Sequence, residues 1–300
     1  MVIRTKDGVI MKYFDQTTFK GERACFATDG ATFTNCIFSD GESPLKESKN
    51  VILKGGAFKW KYPLWYAENV EADGCLFEDN ARAGVWYSKN VVVANTVVQA
   101  PKNFRRCEDL TLKKVFFPNA EETLWSCKKV VLDSVTVRGD YFAMNSEDIE
   151  VRDLTLNGKY SFDGVKNVTV RNSRIVTKDA FWNSENVTVY DSYIQSEYLG
   201  WNSKNVTFIN CTIESLQGLC YIENLVMRDC KLINTNLAFE YSDIDAVINS
   251  KIDSVFNPRS GYLKANSIGE LIMEKDLVDE GKTFVECYDV DKKSTKPEWK

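Results

Sequence analysis

Apolar residues in this chain alternate with polar ones over short stretches, and the stretches recur at near-constant spacing. Asn167-Val-Thr-Val-Arg-Asn-Ser-Arg-Ile175, Asn186-Val-Thr-Val-Tyr-Asp-Ser-Tyr-Ile194 and Asn205-Val-Thr-Phe-Ile-Asn-Cys-Thr-Ile213 begin 19 residues apart. Looser copies begin at Gly30, Asn50, Asn69, Asn90, Asp109, Lys129, Asp148, Asn224 and about Ile244, in steps of 19 to 21. A fixed period of this size marks a solenoid, in which each copy is one coil stacked on the next. Counting from the Asn, positions +1 and +3 are almost all Val, Ile or Leu, and positions +6 and +8 are small and then apolar. Such period-two alternation predicts strands with their apolar side chains directed inward. A third apolar position, five before the Asn, holds Leu64, Val85, Phe104, Leu124, Phe162, Phe181 and Leu219.

Three short strands per coil predict an all-β fold: a right-handed parallel β-helix of about 12 coils of 19–21 residues,. At about 4.8 Å per coil the stack would run on the order of 55 Å. The expected organisation is an N-terminal cap (1–29), the β-helix (30–253) and a C-terminal cap and tail (254–300), the tail fraying at its end. The repeated Asn fits a tight corner, because Asn tolerates the left-handed backbone conformation. Stacked Asn amides can also bond from coil to coil. The Asn-Val-Thr triplets at 167, 186 and 205 are therefore products of the repeat rather than glycosylation signals.

Composition narrows the function classes. The chain is 44% hydrophobic and 27% charged, and no apolar run approaches the roughly 18 residues that cross a bilayer,. Residues Met1–Gly8 carry no secretory apolar core, so a cytoplasmic location is expected,. Net charge is −5 with mixed signs and no basic block, which argues against nucleic acid or anionic membrane as partner,. The nine cysteines include no CxxC pair. Cys36, Cys75, Cys211 and Cys230 share one repeat position with Thr96, Val115, Val135, Leu154, Ser173 and Ser192, as expected of a small interior residue and not of a bridge or metal ligand,.

There is no histidine, which removes the commonest general base, the usual catalytic triads and most zinc sites,. No glycine-rich phosphate loop is present, and no cofactor or metal is expected,. Two columns remain as candidates. Four residues before the Asn stand Trp65, Trp86, Trp125, Trp182 and Trp201, with Arg105 and Asp163 in the same column. A column that accepts Arg and Asp faces outward, and flat aromatics in a row suit stacking on sugar rings; the alternative is a structural aromatic ladder. Seven to eight residues before the Asn runs a charged stripe that includes Lys61, Arg82, Glu121, Glu122, Asp140, Lys178, Asp179 and Glu197, with Tyr198 alongside. Carboxylates on neighbouring coils would lie about 5 Å apart, the separation in retaining glycosidases. Opposite charges such as Lys178 and Glu197 would equally form an ordinary surface ladder worth under about 1 kcal/mol per pair.

Several stretches resemble a bacterial family known only as a domain of unknown function, within the pectate-lyase-like β-helix superfamily. They are Gly41-Glu-Ser-Pro-Leu-Lys-Glu-Ser48, Lys61-Tyr-Pro-Leu-Trp-Tyr66, Thr177-Lys-Asp-Ala-Phe-Trp182, Glu197-Tyr-Leu-Gly-Trp201, Leu219-Cys-Tyr221, Leu237-Ala-Phe-Glu-Tyr-Ser242 and Asn257-Pro-Arg-Ser-Gly261. The resemblance implies the fold and carries no activity. It maps recurrent polar positions onto Arg82, Arg105, Lys178, Asp179, Glu197, Tyr198 and Glu240. The wider superfamily holds lyases and hydrolases of acidic polysaccharides, but fold alone does not transfer activity. The adjacent Asp pair with Gly-His-Gly of polygalacturonases is missing, as is a tight acidic cluster of the calcium-dependent lyase kind.

The sequence thus points to a β-helix that binds a carbohydrate or similar polar ligand along one face, near Arg105, Asp179, Trp182, Glu197, Trp201 and Glu240. A carbohydrate-active enzyme (lyase, hydrolase or isomerase) and a structural protein that pairs with another copy are the rivals.

Overall fold

The structure is a computed structural model that describes residues 2–6 and 9–297. Met1, Asp7 and Gly8, within the segment read for a secretory signal, lie outside the described residues, as do the final three residues of the tail. The fold is an all-β parallel solenoid of about 15 turns, where the repeat count gave about 12. The difference arises because parallel pairing needs extended backbone rather than the Asn corner. In the first part of the chain it already begins with Val9–Asp15 on Asp29–Asp40. In the second it extends to Thr283–Glu286 and Asp289–Ser294, both on Ser260–Ile272.

Two compact units are present, residues 1–150 and 151–300. The first opens with an antiparallel hairpin, Val2–Lys6 on Val9–Asp15. Lys49–Phe58, Glu68–Asp73, Lys89–Ala94, Glu108–Lys113 and Lys128–Asp133 then pair in parallel, one turn after another. A second column stacks Leu76–Phe77, Val97–Val98, Phe116–Phe117 and Thr136–Arg138. The third is short: Leu64–Trp65 on Val85–Trp86, continued by single bridges from Trp86 to Arg105 and Arg105 to Trp125. The second unit repeats the plan with Lys166–Arg171, Glu185–Tyr190, Lys204–Ile209 and Glu223–Asn236 in one column. Arg174–Thr177, Tyr193–Ser196 and Thr212–Leu216 form the next.

Like residues sit over like residues, as the alternation requires. Val168, Val187, Val206 and Leu225 align in register and are buried. Each contributes roughly 1.5–3 kcal/mol by burial. Phenylalanines stack within the core, Phe38 on Phe58 at 4.7 Å and Phe162 on Phe181 at 5.3 Å.

The corner residues behave as their chemistry suggests. Asn167, Asn186, Asn205 and Asn224 have φ between 54° and 60°. The Nδ2 of each of the last three donates to Oδ1 of the preceding Asn at 2.9–3.0 Å. A matching ladder joins Asn50, Asn69 and Asn90 in the first unit. The shared column of Cys, Ser and Thr has one hydrogen-bonding role. Cys211 and Cys230 donate Sγ–H to the carbonyl two residues earlier at 3.4 Å, and Ser173 and Ser192 donate Oγ–H to the same place at 2.8 and 2.6 Å. All nine cysteines are free, and only Cys25 and Cys287 are not buried.

Candidate functional site

The tryptophan column is real in both units, but its local chemistry differs between them. In the first unit, Trp65 and Trp86 stack at 5.2 Å and 5°. The Arg105 guanidinium lies over both Trp86, at 5.1 Å, and Trp125, at 4.3 Å. Each indole N–H donates to a backbone carbonyl one turn on: Trp65 to Ala83 at 2.6 Å, Trp86 to Lys102 at 2.8 Å and Trp125 to Tyr141 at 2.5 Å. Those carbonyls belong to residues seven before the next corner, and all three take positive φ. Arg105 uses the equivalent carbonyl of Glu122 and is also bonded to the Glu122 carboxylate. Burial opposes charge on Glu122, yet hydrogen bonds from Arg105 and Lys102 hold its carboxyl below the usual range. This column is half-buried and internally satisfied, a structural ladder. Arg82, named in the charged stripe, is exposed.

In the second unit Trp182 and Trp201 lie 5.8 Å apart at 30°. The aromatic strip continues to Tyr221, 4.9 Å from Trp201, and to Tyr241, 5.4 Å further. Tyr198 meets Trp201 edge-on at 5.4 Å. Among the described residues, neither indole N–H has a hydrogen-bond partner. The cause is local. Tyr198, which stands where Trp182 would need a carbonyl, does not take the positive-φ conformation. Gln217 does, and its carbonyl accepts the Cys220 thiol at 3.3 Å rather than the Trp201 indole. Two donors are thus left beside flat rings.

Carboxylates flank the strip. Asp163 precedes Trp182 in the column and accepts its backbone N–H at 3.4 Å. Burial pushes the Asp163 carboxyl up to about 7, and the charge of Asp179 adds to the push. Asp179 is 2% exposed, and its Oδ1 has no hydrogen-bond partner. Burial raises its carboxyl too, against the pull of Lys178 and with a further push from Glu197. Glu240 falls in the tryptophan column, two turns beyond Trp201, since Asn202 bonds to the Cys220 carbonyl and Tyr221 to that of Glu240. It is 8% exposed and accepts from Gln217 Nε2 at 3.4 Å. Burial raises it, with Glu274 contributing. Burial and the Glu240 charge in turn push the Tyr221 hydroxyl up to about 12.

Lys178 and Glu197 do not close into the ion pair that the sequence suggested. Lys178 lies instead over the Tyr160 ring, 5.7 Å from its centre. The reason is that their pairing is backbone to backbone, Glu197 N–H to Lys178 O at 2.6 Å, while the lysine head turns toward the preceding turn. Beside them is a groove of about 310 Å³ lined in part by Lys178, Gln195, Glu197, Glu214, Leu216 and Asn234. Seven of the nine proposed residues (Lys178, Asp179, Trp182, Glu197, Tyr198, Trp201 and Glu240) lie in the second unit, and Arg82 and Arg105 in the first. Sequence reasoning placed Asp163 in the tryptophan column but left it out of the proposed site, although its place beside Trp182 was the available signal. It also missed Tyr221 and Tyr241, which stand one residue off the column and carry no such signal.

No group of three or more Asp, Glu or Cys residues is placed to hold a metal among the described residues. Among the described residues no helix is long and apolar enough to cross a membrane.

Among solved structures, the chain is similar to the tailspike protein of E. coli bacteriophage HK620 in complex with a pentasaccharide, at 10% identity and TM-score 0.38, over 94% of this chain and 70% of that one. It is similar also to the A-module of a mannuronan C-5 epimerase from Azotobacter vinelandii, at 10% identity and TM-score 0.27, over 95% and 88%. A third is the surface adhesin PfbA of Streptococcus pneumoniae, at 8% identity and TM-score 0.30, over 94% and 88%. Likeness at this level bears no functional weight. No curated protein sequence matches the chain. Residues 12–286 match the family described as Protein of unknown function (DUF3737), and the chain belongs to that family.

Proposed function

We propose that residues 151–300 bind a carbohydrate-like, hydroxyl-rich ligand on the face formed by Trp182, Trp201, Tyr221 and Tyr241. One observation carries this reading: the indole N–H groups of Trp182 and Trp201 are unpaired, whereas those of Trp65, Trp86 and Trp125 are tied to backbone. A sugar presents an apolar C–H face that stacks on aromatic rings and a rim of hydroxyls that exchange hydrogen bonds with N–H donors and carboxylates. Glu197 and Asp163 supply acceptors on the flank, and the groove at Lys178 and Glu197 gives a ligand room to extend. The cytoplasm is the location we assign, on the support of nine unpaired cysteines,.

A panel of neutral, amino and acidic oligosaccharides, followed by tryptophan fluorescence and calorimetry, tests the reading. Trp201→Ala should weaken binding at least tenfold, and Trp86→Ala should leave it unchanged. Absence of binding across the panel, or equal loss in both variants, overturns it.

A second reading is favoured by Asp163 and Asp179. Burial and the charge of neighbouring Asp179 push the half-buried Asp163 carboxyl up to about 7, which suits proton transfer near neutral pH,. On this reading the bound sugar is also turned over, by hydrolysis, lyase chemistry or isomerisation. Product analysis of any oligosaccharide that binds, with Asp163→Asn as control, decides it.

A further inference from the structure

We infer that the ligand of the second unit carries a protonated amine, as an amino sugar does, held between the aromatic strip and carboxylates that lack a cationic partner. This rests on the reading that the face binds a sugar and adds the charge of that sugar.

The argument begins with a difference between the units. In the first, Glu122 is met by Arg105 and by Lys102 at 3.2 Å. In the second, Asp163, Asp179, Glu197, Glu240 and Glu274 gather around the strip. The Lys178 ammonium acts on Asp179, but it lies toward Tyr160. Among the described residues, no Lys or Arg comes within ion-pair distance of any of these five carboxylates. Natural proteins rarely leave buried carboxylates without a counter-charge, because desolvation of the charged form is costly. Here burial pushes the Asp163 and Asp179 carboxyls up, and Asp179 Oδ1 has no hydrogen-bond partner. A site in that state is short of a cation.

The rings point the same way. Trp201, Tyr221 and Tyr241 form a run of electron-rich faces, with the Glu240 carboxyl within electrostatic reach of both tyrosines. Aromatic faces beside carboxylates are the arrangement that attracts ammonium groups. A uronic acid polymer would instead set carboxylate against carboxylate, which is strongly unfavourable in a partly desolvated site. A bare metal ion is not the missing cation, since the carboxylates are not placed to ligate one. An ammonium on a sugar satisfies both halves of the site, its ring on the tryptophans and its charge near the acids.

Proton linkage follows. Asp163 is faced by Asp179 and by the Trp182 N–H, and neither supplies positive charge. An arriving ammonium therefore favours its ionised form and expels a proton.

The test is calorimetry with the intact protein and three tetrasaccharides at pH 6: β-1,4-linked glucosamine, its fully N-acetylated counterpart, and galacturonate. The glucosamine oligomer should bind at least tenfold tighter than the acetylated one, the preference should shrink with added salt, and galacturonate should not bind. Proton release, read as a dependence of the measured heat on buffer ionisation enthalpy, should accompany only the glucosamine oligomer. Glu240→Gln and Glu197→Gln should each reduce the preference, with unchanged thermal melting as the folding control. If acetylated and free-amine oligomers bind alike, or galacturonate binds best, the amine inference is overturned while sugar binding stands. If none of these or of the wider oligosaccharide panel binds, both are overturned.

Discussion

Asp163 and Trp182 are joined across adjacent turns: the Trp182 backbone N–H donates to Asp163 Oδ1 at 3.4 Å. The contact fixes an acid at the edge of the aromatic strip and buries it there. Burial then holds the folded carboxyl protonated up to about pH 7, while the unfolded chain releases this proton near 3.8. Between these values the folded state binds more protons than the unfolded one. The contribution of Asp163 to stability is therefore fully present below about pH 4 and is lost as pH rises through 7.

Asp163→Asn keeps an acceptor for the Trp182 N–H and cannot ionise. Its stability advantage over the parent chain should grow by about 2–4 kcal/mol from pH 4 to pH 8. Chemical denaturation at the two pH values checks this. A constant difference across the range would show that Asp163 is not held protonated.

The corner ladder can be separated into its two causes. Asn186 donates to Asn167 and accepts from Asn205, both at 2.9 Å, with φ at 58°. Asn186→Gly keeps the backbone conformation and loses the amide bonds, and should cost about 1 kcal/mol. Asn186→Ala loses both and should cost about 2–3 kcal/mol, since a left-handed residue with a Cβ adds roughly 1–2 kcal/mol. Urea unfolding of the two variants gives each share directly, and equal losses would mean that backbone conformation contributes nothing.

Much of this architecture was legible because the solenoid repeats every choice it makes. A left-handed corner at Asn186 recurs at Asn167 and Asn205, so the position announces itself by residue type alone. The Cys/Ser/Thr column is legible for the same reason, one donor role filled by Cys211 or Ser192. Turn count was less legible, since Val9–Asp15 and Asp289–Ser294 pair through backbone with no side-chain signature. The site was least legible. Trp86 and Trp201 are the same residue at the same repeat position, and what separates them is whether a carbonyl of the next turn accepts the indole N–H. The Lys102 carbonyl, at positive φ, accepts the Trp86 indole, whereas the Gln217 carbonyl accepts the Cys220 thiol, and a repeat pattern encodes neither.

The thiol column yields a chemical prediction. Seven cysteines are buried, and Cys25 and Cys287 are partly exposed. Burial pushes the Cys75 thiol up to about 12 and the Cys25 thiol up to about 11, so that even the accessible Cys25 reacts slowly,. A thiol reagent near pH 8 should label the native chain only at Cys25 and Cys287, and all nine cysteines in denaturant. Cys211→Ser should change stability by less than about 1 kcal/mol, because Ser192 already makes the same bond one turn earlier,. Protection of Cys25 or Cys287 against label in native protein would mark those sites as covered.

Trp86 and Trp201 test the central distinction between a ladder and a site. Trp86→Phe removes the 2.8 Å bond to the Lys102 carbonyl and weakens the contact with Arg105. It leaves a half-buried carbonyl without its donor, which should cost about 1–3 kcal/mol of stability. Trp201→Phe removes a donor that has no protein partner, and its ring contacts with Trp182 and Tyr221 are largely kept. Its stability should stay within about 1 kcal/mol of the parent. Ligand binding should follow the opposite order, weakened by Trp201→Phe and indifferent to Trp86→Phe. Parallel measurements of melting temperature and oligosaccharide affinity on the two variants therefore cross over, because a hydrogen bond spent inside the fold supports stability and one left open is free for recognition. If both variants lose stability alike and neither changes binding, the two columns are one structural ladder and the site must be sought on another face.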